Sequence, residues 1–198
     1  MVHPGLIRSG DRFPSRLLKD GKIDGVVRLG GVPTARLWRD LETSNFPVLS
    51  ISSLPFAGLS RGLFEHADLS NLANLTADVV DRFQPRFEIV DEDRRLFMAS
   101  QALLESHPLS EPAMVRELSR RLKPRTTVYV GNSLPIREWD LVAQRENAFH
   151  VRANRGANGI DGQIASAAAH RDLQNDLFIL VGDLTAILCA KLEDQQAK

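Results

Sequence analysis

The first candidate for binding chemistry lies where an apolar run gives way to polar residues, at Gly131-Asn132-Ser133. Pro135 suits the first turn of a helix, and Arg137 stands one turn into it. Backbone N–H groups at a helix start attract anions, and an arginine can bind a carboxylate through two hydrogen bonds. The pattern predicts a carboxylate site. A second interpretation stays open, in which Asn132 or Ser133 only caps the helix and Arg137 is solvated.

The second candidate is a glycine-rich segment, Asn154–Gly162, with the sequence NRGANGIDG. Its three glycines recur at intervals of three, and glycine gives the backbone conformations that let it approach a ligand closely. The segment does not match the GxGxxG pattern of dinucleotide-binding proteins. An ordinary tight loop is the alternative interpretation.

The third candidate is Gly182-Asp183, which follows the strongly apolar run Leu177–Val181. A carboxylate there could ligate a hard cation such as Mg²⁺, and the cation could hold phosphates. An aspartate that caps the next helix is an equal alternative. Ligands of open parallel sheets bind beyond the carboxyl ends of the strands, so all three candidates are placed as such a site requires.

Three strands are predicted to carry these candidates. Thr126–Val130 is β-branched and aromatic, Phe149–Val151 is short, and Leu177–Val181 is apolar throughout. An alanine-rich helix is predicted over Gln163–His170, between the second and third strands. The alternation of strands and helices predicts parallel pairing.

The first part of the chain shows the same alternation. Asp24–Gly30 predicts a buried strand, Pro33–Thr43 a helix with Leu37, Trp38 and Leu41 at helical spacing, and Pro47–Ser52 a second strand. Strand, helix and strand within about thirty residues indicate a βαβ unit with parallel strands. The fold class is therefore predicted as α/β with parallel sheets.

The middle of the chain is predicted to be helical. Ser53–Ser70 has only loop chemistry, and four apolar residues then mark one face of a helix, Leu72, Leu75, Val79 and Phe83. Asp91–Glu105 predicts another helix. Ser110 is predicted to cap a further one, whose buried stripe is Met114, Val115, Leu118 and Leu122. We place a domain boundary in this region and divide the chain into residues 1–108 and 109–198.

Composition sets broad limits on function. The chain has 198 residues, 43% hydrophobic and 25% charged, and its 25 basic residues balance its 25 acidic ones. Zero net charge gives no case for nucleic acid or a membrane surface as partner. A single cysteine excludes an internal disulfide. With no signal peptide or membrane span in the sequence, we expect a soluble, cytoplasmic protein. The five histidines lack metal-ligand spacing, and no P-loop or GxSxG elbow occurs.

Together the three candidates resemble one family. VGNSLPIR (Val130–Arg137), NRGANGIDG and VGDLTA (Val181–Ala186) stand in the order and spacing of the synthase that makes 2-succinyl-5-enolpyruvyl-6-hydroxy-3-cyclohexene-1-carboxylate in menaquinone biosynthesis. The upstream segment VVRLGGVPTARLW resembles the middle domain of the same family. The resemblance implies incomplete parallel-sheet layers of a thiamine-diphosphate-binding fold: a partial middle domain with connecting helices over 1–108 and the first half of a pyrophosphate-binding domain over 109–198.

The resemblance also implies a transferase reaction and its cofactors. In this family, thiamine diphosphate and Mg²⁺ support decarboxylation of 2-oxoglutarate and addition of the resulting carbanion to isochorismate. Asp183 resembles the metal ligand, beside Gly182 of the diphosphate site, and Ile160 resembles the aliphatic residue beneath the cofactor. The residues that resemble carboxylate-binding positions are Ser133, Arg137 and Arg155, with Arg36 where the family often has a lysine near the substrate. No catalytic residue is identified.

Departures from the family pattern shape what we expect of this chain alone. The family's activating glutamate precedes the segments seen here, and its asparagine-bearing half of the metal motif follows the GD by more than the fifteen residues present. We therefore expect a form truncated at both ends that needs a homo-oligomer or a completing polypeptide. The alternatives are a non-catalytic anion-binding or interaction module, and a degenerate relic.

Overall fold

The computed structural model describes residues 7–10, 12–33, 36–71, 86–144, 150–154, 159–172 and 174–188. The chain divides into two compact units, Met1–Ala102 and Leu103–Lys198. Assignment of the two parts of the chain, 1–108 and 109–198, to a middle and a pyrophosphate-binding domain remains a prediction.

The first unit contains a three-stranded sheet in the order β1-β2-β3. Both strand pairs are parallel, with Val26 beside Val48 and Leu49 beside Leu63. The predicted βαβ arrangement is confirmed, because a helix connects β1 to β2. The elements are α1 (Arg12–Lys19), β1 (Val26–Leu29), α2 (Arg36–Leu41), β2 (Val48–Ser52), β3 (Leu63–His66), a 3-10 turn (Leu69–Asn71) and the start of α3 (Phe87–Ser106).

The core of this unit forms where two helices meet one face of the sheet. Leu18 of α1, Trp38 and Leu41 of α2, and Val48 of β2 are all buried in one cluster. Along β2, buried and half-buried residues alternate, since successive side chains of a strand point to opposite faces. The predicted helical spacing of Trp38 and Leu41 therefore marks the buried side of α2.

A buried arginine attaches the loop after β2 to this core. Arg28 of β1 donates from Nη1 to the Gly30 carbonyl at 2.8 Å and from Nη2 to the Phe56 and Ala57 carbonyls at 3.2 and 3.1 Å. Its guanidinium lies 5.1 Å from the centre of the Trp38 ring. The Trp38 indole N–H donates to the Gly58 carbonyl at 3.1 Å, so both side chains hold the same loop.

The structure differs from the sequence-based prediction at residues 53–70 and at the start of α3. The stretch 53–70 is not loop throughout, because it contains β3 and the 3-10 turn. All four residues of β3 are exposed, so the strand lacks the alternation that would have revealed it. Helix α3 begins at Phe87, ahead of the predicted Asp91. The helical face predicted from Leu72 to Phe83 lies outside the described residues.

The second unit contains another parallel three-stranded sheet, in the order β5-β4-β6. The predicted α/β class with parallel sheets is therefore confirmed. None of the helices within the described ranges is long and apolar enough to cross a membrane. After the end of α3, the elements are α4 (Glu111–Arg121), β4 (Thr127–Val130), α5 (Leu134–Val142), β5 (His150–Arg152), α6 (Gln163–Ala169) and β6 (Leu177–Leu180).

The core of the second unit lies between β4 and the helices α4 and α5. Val128 and Val130 are fully buried, and they form one cluster with Val115 of α4 and with Ile136 and Trp139 of α5. Strands with both faces covered are typical of parallel sheets. The apolar character of β4 follows from this position.

The predicted buried stripe of α4 is only partly correct. Val115 is buried and Leu118 and Leu122 are half-buried, but Met114 is 51% exposed. The buried face carries Arg116 and Ser119 instead. The Ser119 hydroxyl donates to the Arg116 carbonyl at 2.7 Å and accepts from the Gln144 N–H at 2.9 Å, which explains how a polar residue is accommodated there.

A buried carboxylate, Glu138, lies on α5. Burial raises its pKa above 4.5, and the negative charge of Glu111 on α4 adds to the effect. A carboxyl group whose pKa is higher in the folded chain than in the unfolded chain disfavours folding once it is ionised. Glu138 therefore lowers stability as pH rises through its pKa.

We expect Glu138→Gln to stabilise the chain at pH 8 and to have little effect below about pH 4.5, where the carboxyl is protonated in both states. Urea unfolding across this pH range measures the difference. Glu111→Gln should produce a smaller gain with the same pH dependence. Equal destabilisation by Glu138→Gln at every pH would contradict the prediction, because it would mean that the carboxylate makes a favourable contact.

Candidate functional site

The three polar junctions predicted from the sequence share one edge of the second sheet. Strand β4 lies in the centre, with Tyr129 beside Arg152 of β5 and Val130 beside Leu180 of β6. All three strands run in the same direction, so the residues that follow them emerge at the same edge. This carboxyl edge is the place where open parallel sheets bind ligands.

Gly131 keeps the ends of β4 and β6 in close contact. Its N–H donates to the Leu180 carbonyl at 2.7 Å. A Cβ atom at this position would lie 3.1 Å from Val181 Cγ1 and 3.3 Å from the Leu180 carbonyl oxygen. Glycine thus allows the first junction to approach the third.

Ser133 occupies an unusual backbone conformation at the start of α5. Its φ is 74° and its ψ is −124°, a region that residues other than glycine rarely adopt. The side chain is exposed and makes no capping hydrogen bond. The alternative in which Ser133 caps the helix through its hydroxyl is therefore wrong. Strain of this kind clusters at binding and catalytic positions.

Arg137 lies one turn beyond Ser133 on the same helix, and its side chain is exposed. No hydrogen bond or ion pair joins it to another residue in the described ranges. A guanidinium in this position can meet a carboxylate from solution. Arg155, the other arginine predicted in the second unit, lies outside the described residues.

The described end of the glycine-rich loop is fixed to the sheet by side-chain amides. Asn132 Nδ2 donates to the Gly159 carbonyl at 3.0 Å, and Gln163 Nε2 donates to the same oxygen at 3.2 Å. The Tyr129 hydroxyl in turn donates to Gln163 Oε1 at 3.0 Å. Ile160, the next residue after Gly159, is half-buried.

Sequence reasoning missed Tyr129 and Gln163. A signal was present, because a tyrosine in a buried strand requires a partner for its hydroxyl. The residue that supplies this partner could not be identified from spacing alone, since 34 residues separate the two positions.

Asp183 stands at the third junction, where helical backbone begins and continues over residues 183–188. Its carboxylate is exposed, and Oδ1 accepts a hydrogen bond from the Leu184 N–H at 2.8 Å. Apart from its chain neighbours, no atom of the described residues lies within 4 Å of the position that a Cβ of Gly182 would take. There is therefore room beside Gly182 at the sheet edge, next to the exposed Asp183 carboxylate.

These residues fit one side of a magnesium diphosphate site. Within the described ranges, no group of three or more histidine, cysteine, aspartate or glutamate side chains is arranged to hold a metal. Mg²⁺ that bridges a diphosphate is commonly held by one or two protein carboxylates, with phosphate and water oxygens as the other ligands. Asp183 carries a carboxylate of this kind, and the space beside Gly182 is wide enough not to exclude phosphates. The assignment of Asp183 as a metal ligand stays a prediction.

Arg36 belongs to the first unit and is the first residue of α2. It is exposed, and its Nε lies 3.6 Å from Asp40 Oδ2, one turn further along the helix. This is an ordinary surface ion pair, which contributes little to stability. The role of Arg36 near a substrate remains a prediction.

An open cavity of about 490 Å³ in the first unit is lined by Glu42 and residues 56–60. Hydrogen bonds from the Ser60 hydroxyl and N–H occupy the Glu42 carboxylate and lower its pKa. The remaining lining is mostly apolar, so this cavity presents little chemistry. The sheet edge of the second unit is the candidate site.

Comparison with known proteins finds relatives of one name. Over 194 residues the chain is 42% identical to the 2-succinyl-5-enolpyruvyl-6-hydroxy-3-cyclohexene-1-carboxylate synthase of Bdellovibrio bacteriovorus. The synthases of the same name from Akkermansia muciniphila and Rubrobacter xylanophilus are 37% identical over 176 residues and 31% identical over 196 residues. The predicted resemblance to this synthase family is confirmed. No protein-family model matches the chain.

The chain spans about a third of the length of these synthases. The aligned regions cover 93%, 86% and 92% of this chain, but only 36%, 32% and 33% of the three relatives. The similarity therefore includes both units described above. It leaves most of each synthase without a counterpart in this chain.

Ser133 offers a direct test of backbone strain at the site. We expect Ser133→Gly to stabilise the chain by about 1 kcal/mol, because glycine adopts a positive φ without steric cost. Ser133→Ala should change stability by less than about 0.5 kcal/mol, since it removes the hydroxyl and keeps the strain. Urea unfolding of both variants measures the difference. A glycine variant less stable than the alanine variant would show that the conformation is unstrained.

Proposed function

We propose that this chain forms part of the thiamine diphosphate and substrate site of a 2-succinyl-5-enolpyruvyl-6-hydroxy-3-cyclohexene-1-carboxylate synthase of menaquinone biosynthesis. The main support is the parallel order β5-β4-β6, which brings the junctions containing Ser133, Ile160 and Asp183 to one sheet edge. The same three segments carry the sequence resemblance to the synthases. The reaction in this proposal is decarboxylation of 2-oxoglutarate and carbon–carbon bond formation with isochorismate.

The cofactor half of the proposal rests on the junction after β6. When bound, thiamine diphosphate supplies the carbon nucleophile and electron sink that decarboxylation of a 2-oxo acid requires. Asp183 would contribute a carboxylate oxygen to Mg²⁺, and Gly182 would leave space for the diphosphate. Ile160, half-buried and aliphatic, would contact the cofactor and exclude water from one side of it.

The substrate half of the proposal rests on the junction after β4 and the glycine-rich loop. Both 2-oxoglutarate and isochorismate carry two carboxylates, which require cationic and hydrogen-bonding partners. Arg137 would bind one carboxylate through two parallel hydrogen bonds, and the exposed Ser133 hydroxyl would donate a third. Arg155 is the further cation of this unit that we assign to substrate, and the assignment of Arg36, in the first unit, stays a prediction. These side chains would bind and orient the substrates without taking part in proton transfer.

Completion of the site requires residues that this chain does not supply within its described ranges. Asp183 provides one carboxylate, and we identify no acid that could activate the cofactor. A cytoplasmic location is part of the same proposal, since the substrates are small soluble metabolites.

The first test is calorimetric titration of the purified chain with thiamine diphosphate and Mg²⁺. We expect saturable binding that requires Mg²⁺, and we expect Asp183→Asn to weaken it by roughly 10- to 100-fold, the usual effect of losing a charged contact. The asparagine variant keeps the size of the side chain and removes only its charge. Asp172→Asn, at an exposed aspartate ahead of β6, is the matched control and should bind like the parent.

Absence of heat from a demonstrably folded chain would overturn the proposal that this chain binds the cofactor by itself. It would favour a non-catalytic anion-binding module built on Ser133 and Arg137. Equal binding by the parent and by Asp183→Asn would overturn only the assignment of the metal ligand.

Arg137 tests the substrate half independently. We expect Arg137→Gln to weaken binding of 2-oxoglutarate by roughly 10- to 100-fold, because a charge-assisted hydrogen bond contributes about 1.5–3 kcal/mol. Arg137→Lys should recover part of that loss, since it restores the charge but not the two parallel hydrogen bonds. Titration with 2-oxoglutarate in the presence of thiamine diphosphate and Mg²⁺ measures both variants. A lysine variant that binds like the parent would indicate attraction by charge alone.

A further inference from the structure

We propose that Gln163 and Tyr129 are positioning residues, which fix the Gly159–Ile160 peptide so that Ile160 is held in place for a ligand at the sheet edge. This inference rests on the function proposed above and deepens it. Neither residue is itself placed in the binding site. The two act through the Gly159 carbonyl, which accepts hydrogen bonds from two side chains.

Tyr129 and Gln163 are both buried. Tyr129 is 0% exposed and Gln163 is 1% exposed, although both carry polar atoms. Buried polar groups that lack partners are costly, so partners are required for the tyrosine hydroxyl and for both ends of the glutamine amide. The hydroxyl donates to Gln163 Oε1, and Nε2 donates to the Gly159 carbonyl.

The two hydrogen bonds of Gln163 depend on each other, because the Tyr129 hydroxyl orients the amide. The Tyr129 hydroxyl is carried by the central strand of the sheet, which fixes its position. Because it occupies Oε1, it sets the orientation of the amide and directs Nε2 toward Gly159. The position of the loop carbonyl is thus determined by a residue in the core of the unit.

The Gly159 carbonyl also accepts a hydrogen bond from a second side chain, Asn132. Asn132 Nδ2 reaches the Gly159 oxygen at 3.0 Å from the junction after β4. Asn132 immediately precedes Ser133, and Gly159 immediately precedes Ile160. The hydrogen bond between Asn132 and Gly159 therefore fixes the distance between their neighbours, Ser133, which we propose binds substrate, and Ile160, which we propose contacts the cofactor. A shift of this peptide would change their relative positions.

The local backbone gives little other reason for this arrangement. Among the described residues other than its chain neighbours, the nearest atom to a Cβ placed on Gly159 is the Asp161 nitrogen, at 3.9 Å. Close packing by the described residues therefore does not fix Gly159 on that side. Two hydrogen bonds do reach its carbonyl, and their loss should free the peptide without disturbing the hydrophobic core.

The test compares Tyr129→Phe, Gln163→Met and the double variant. Each keeps nearly the size of the side chain it replaces. We expect each single variant to raise the population of open conformers of residues 159–162 by about tenfold, which corresponds to one lost buried hydrogen bond; conformational exchange in ¹⁵N relaxation dispersion measures it. The double variant should exceed either single variant by little, since both substitutions break the same chain of hydrogen bonds. Amides of residues 128–130 report on the core and should exchange as in the parent.

The second measurement is the affinity for thiamine diphosphate with Mg²⁺. Both single variants should bind roughly 3- to 10-fold more weakly than the parent, while the midpoint of urea unfolding of the unit changes much less. Thr127→Val is the matched control, because it removes a hydroxyl from the opposite end of β4. It should change neither the loop exchange nor the affinity.

The outcomes separate this inference from the function on which it rests. Unchanged exchange in 159–162, or fully additive effects in the double variant, would overturn the positioning assignment whether or not the cofactor binds. Increased loop exchange with parent-like affinity would restrict the two residues to a structural role and overturn the inference. If the parent chain does not bind thiamine diphosphate, the proposal that this chain binds the cofactor by itself fails, and loop exchange alone decides whether Tyr129 and Gln163 position the peptide.

Discussion

Parallel pairing is the constraint on which the arrangement of this molecule depends. Each connection between parallel strands must cross back over the sheet, so the chain returns to the same edge before every strand begins. The carboxyl ends then emerge together at the opposite edge, however far apart they lie in sequence. In the second unit this brings Gly131, Asn154 and Asp183 to one edge from three separate segments. A short sheet can therefore collect residues of different chemistry that no local motif would bring together.

Close packing around the central strand has a second effect, because it places polar atoms where water cannot reach them. Tyr129 and Gln163 are buried, and their hydrogen bonds end on a loop carbonyl. Ser119, buried on α4, also has its hydroxyl hydrogen-bonded: it donates to the Arg116 carbonyl and accepts from the Gln144 N–H. In each case the buried polar group connects an element of the core to a neighbouring segment. The core thus specifies the position of surface residues as well as stability.

The sequence predicted the strands that are buried on both faces. The prediction failed where the exposure of a residue depends on how a neighbouring element packs. Central strands such as β4 have both faces covered, so their apolar runs are visible in the sequence. The edge strand Leu63–His66 is exposed throughout and carries no such pattern. Met114 was expected inside, but α4 is rotated so that Arg116 and Ser119 face inward. The candidate site residues were proposed from their motifs, whereas the positive φ of Ser133 was not predicted, because a residue other than glycine gives no sign of it.

The loop held by Arg28 has a consequence for how the first unit responds to acid. The contacts of this guanidinium in the described structure are carbonyl oxygens and the face of Trp38, none of which gains or loses a proton in the ordinary pH range. Acidification should therefore leave residues 56–58 attached to β1. The loop keeps its place beside Trp38 over the whole pH range in which the unit is folded.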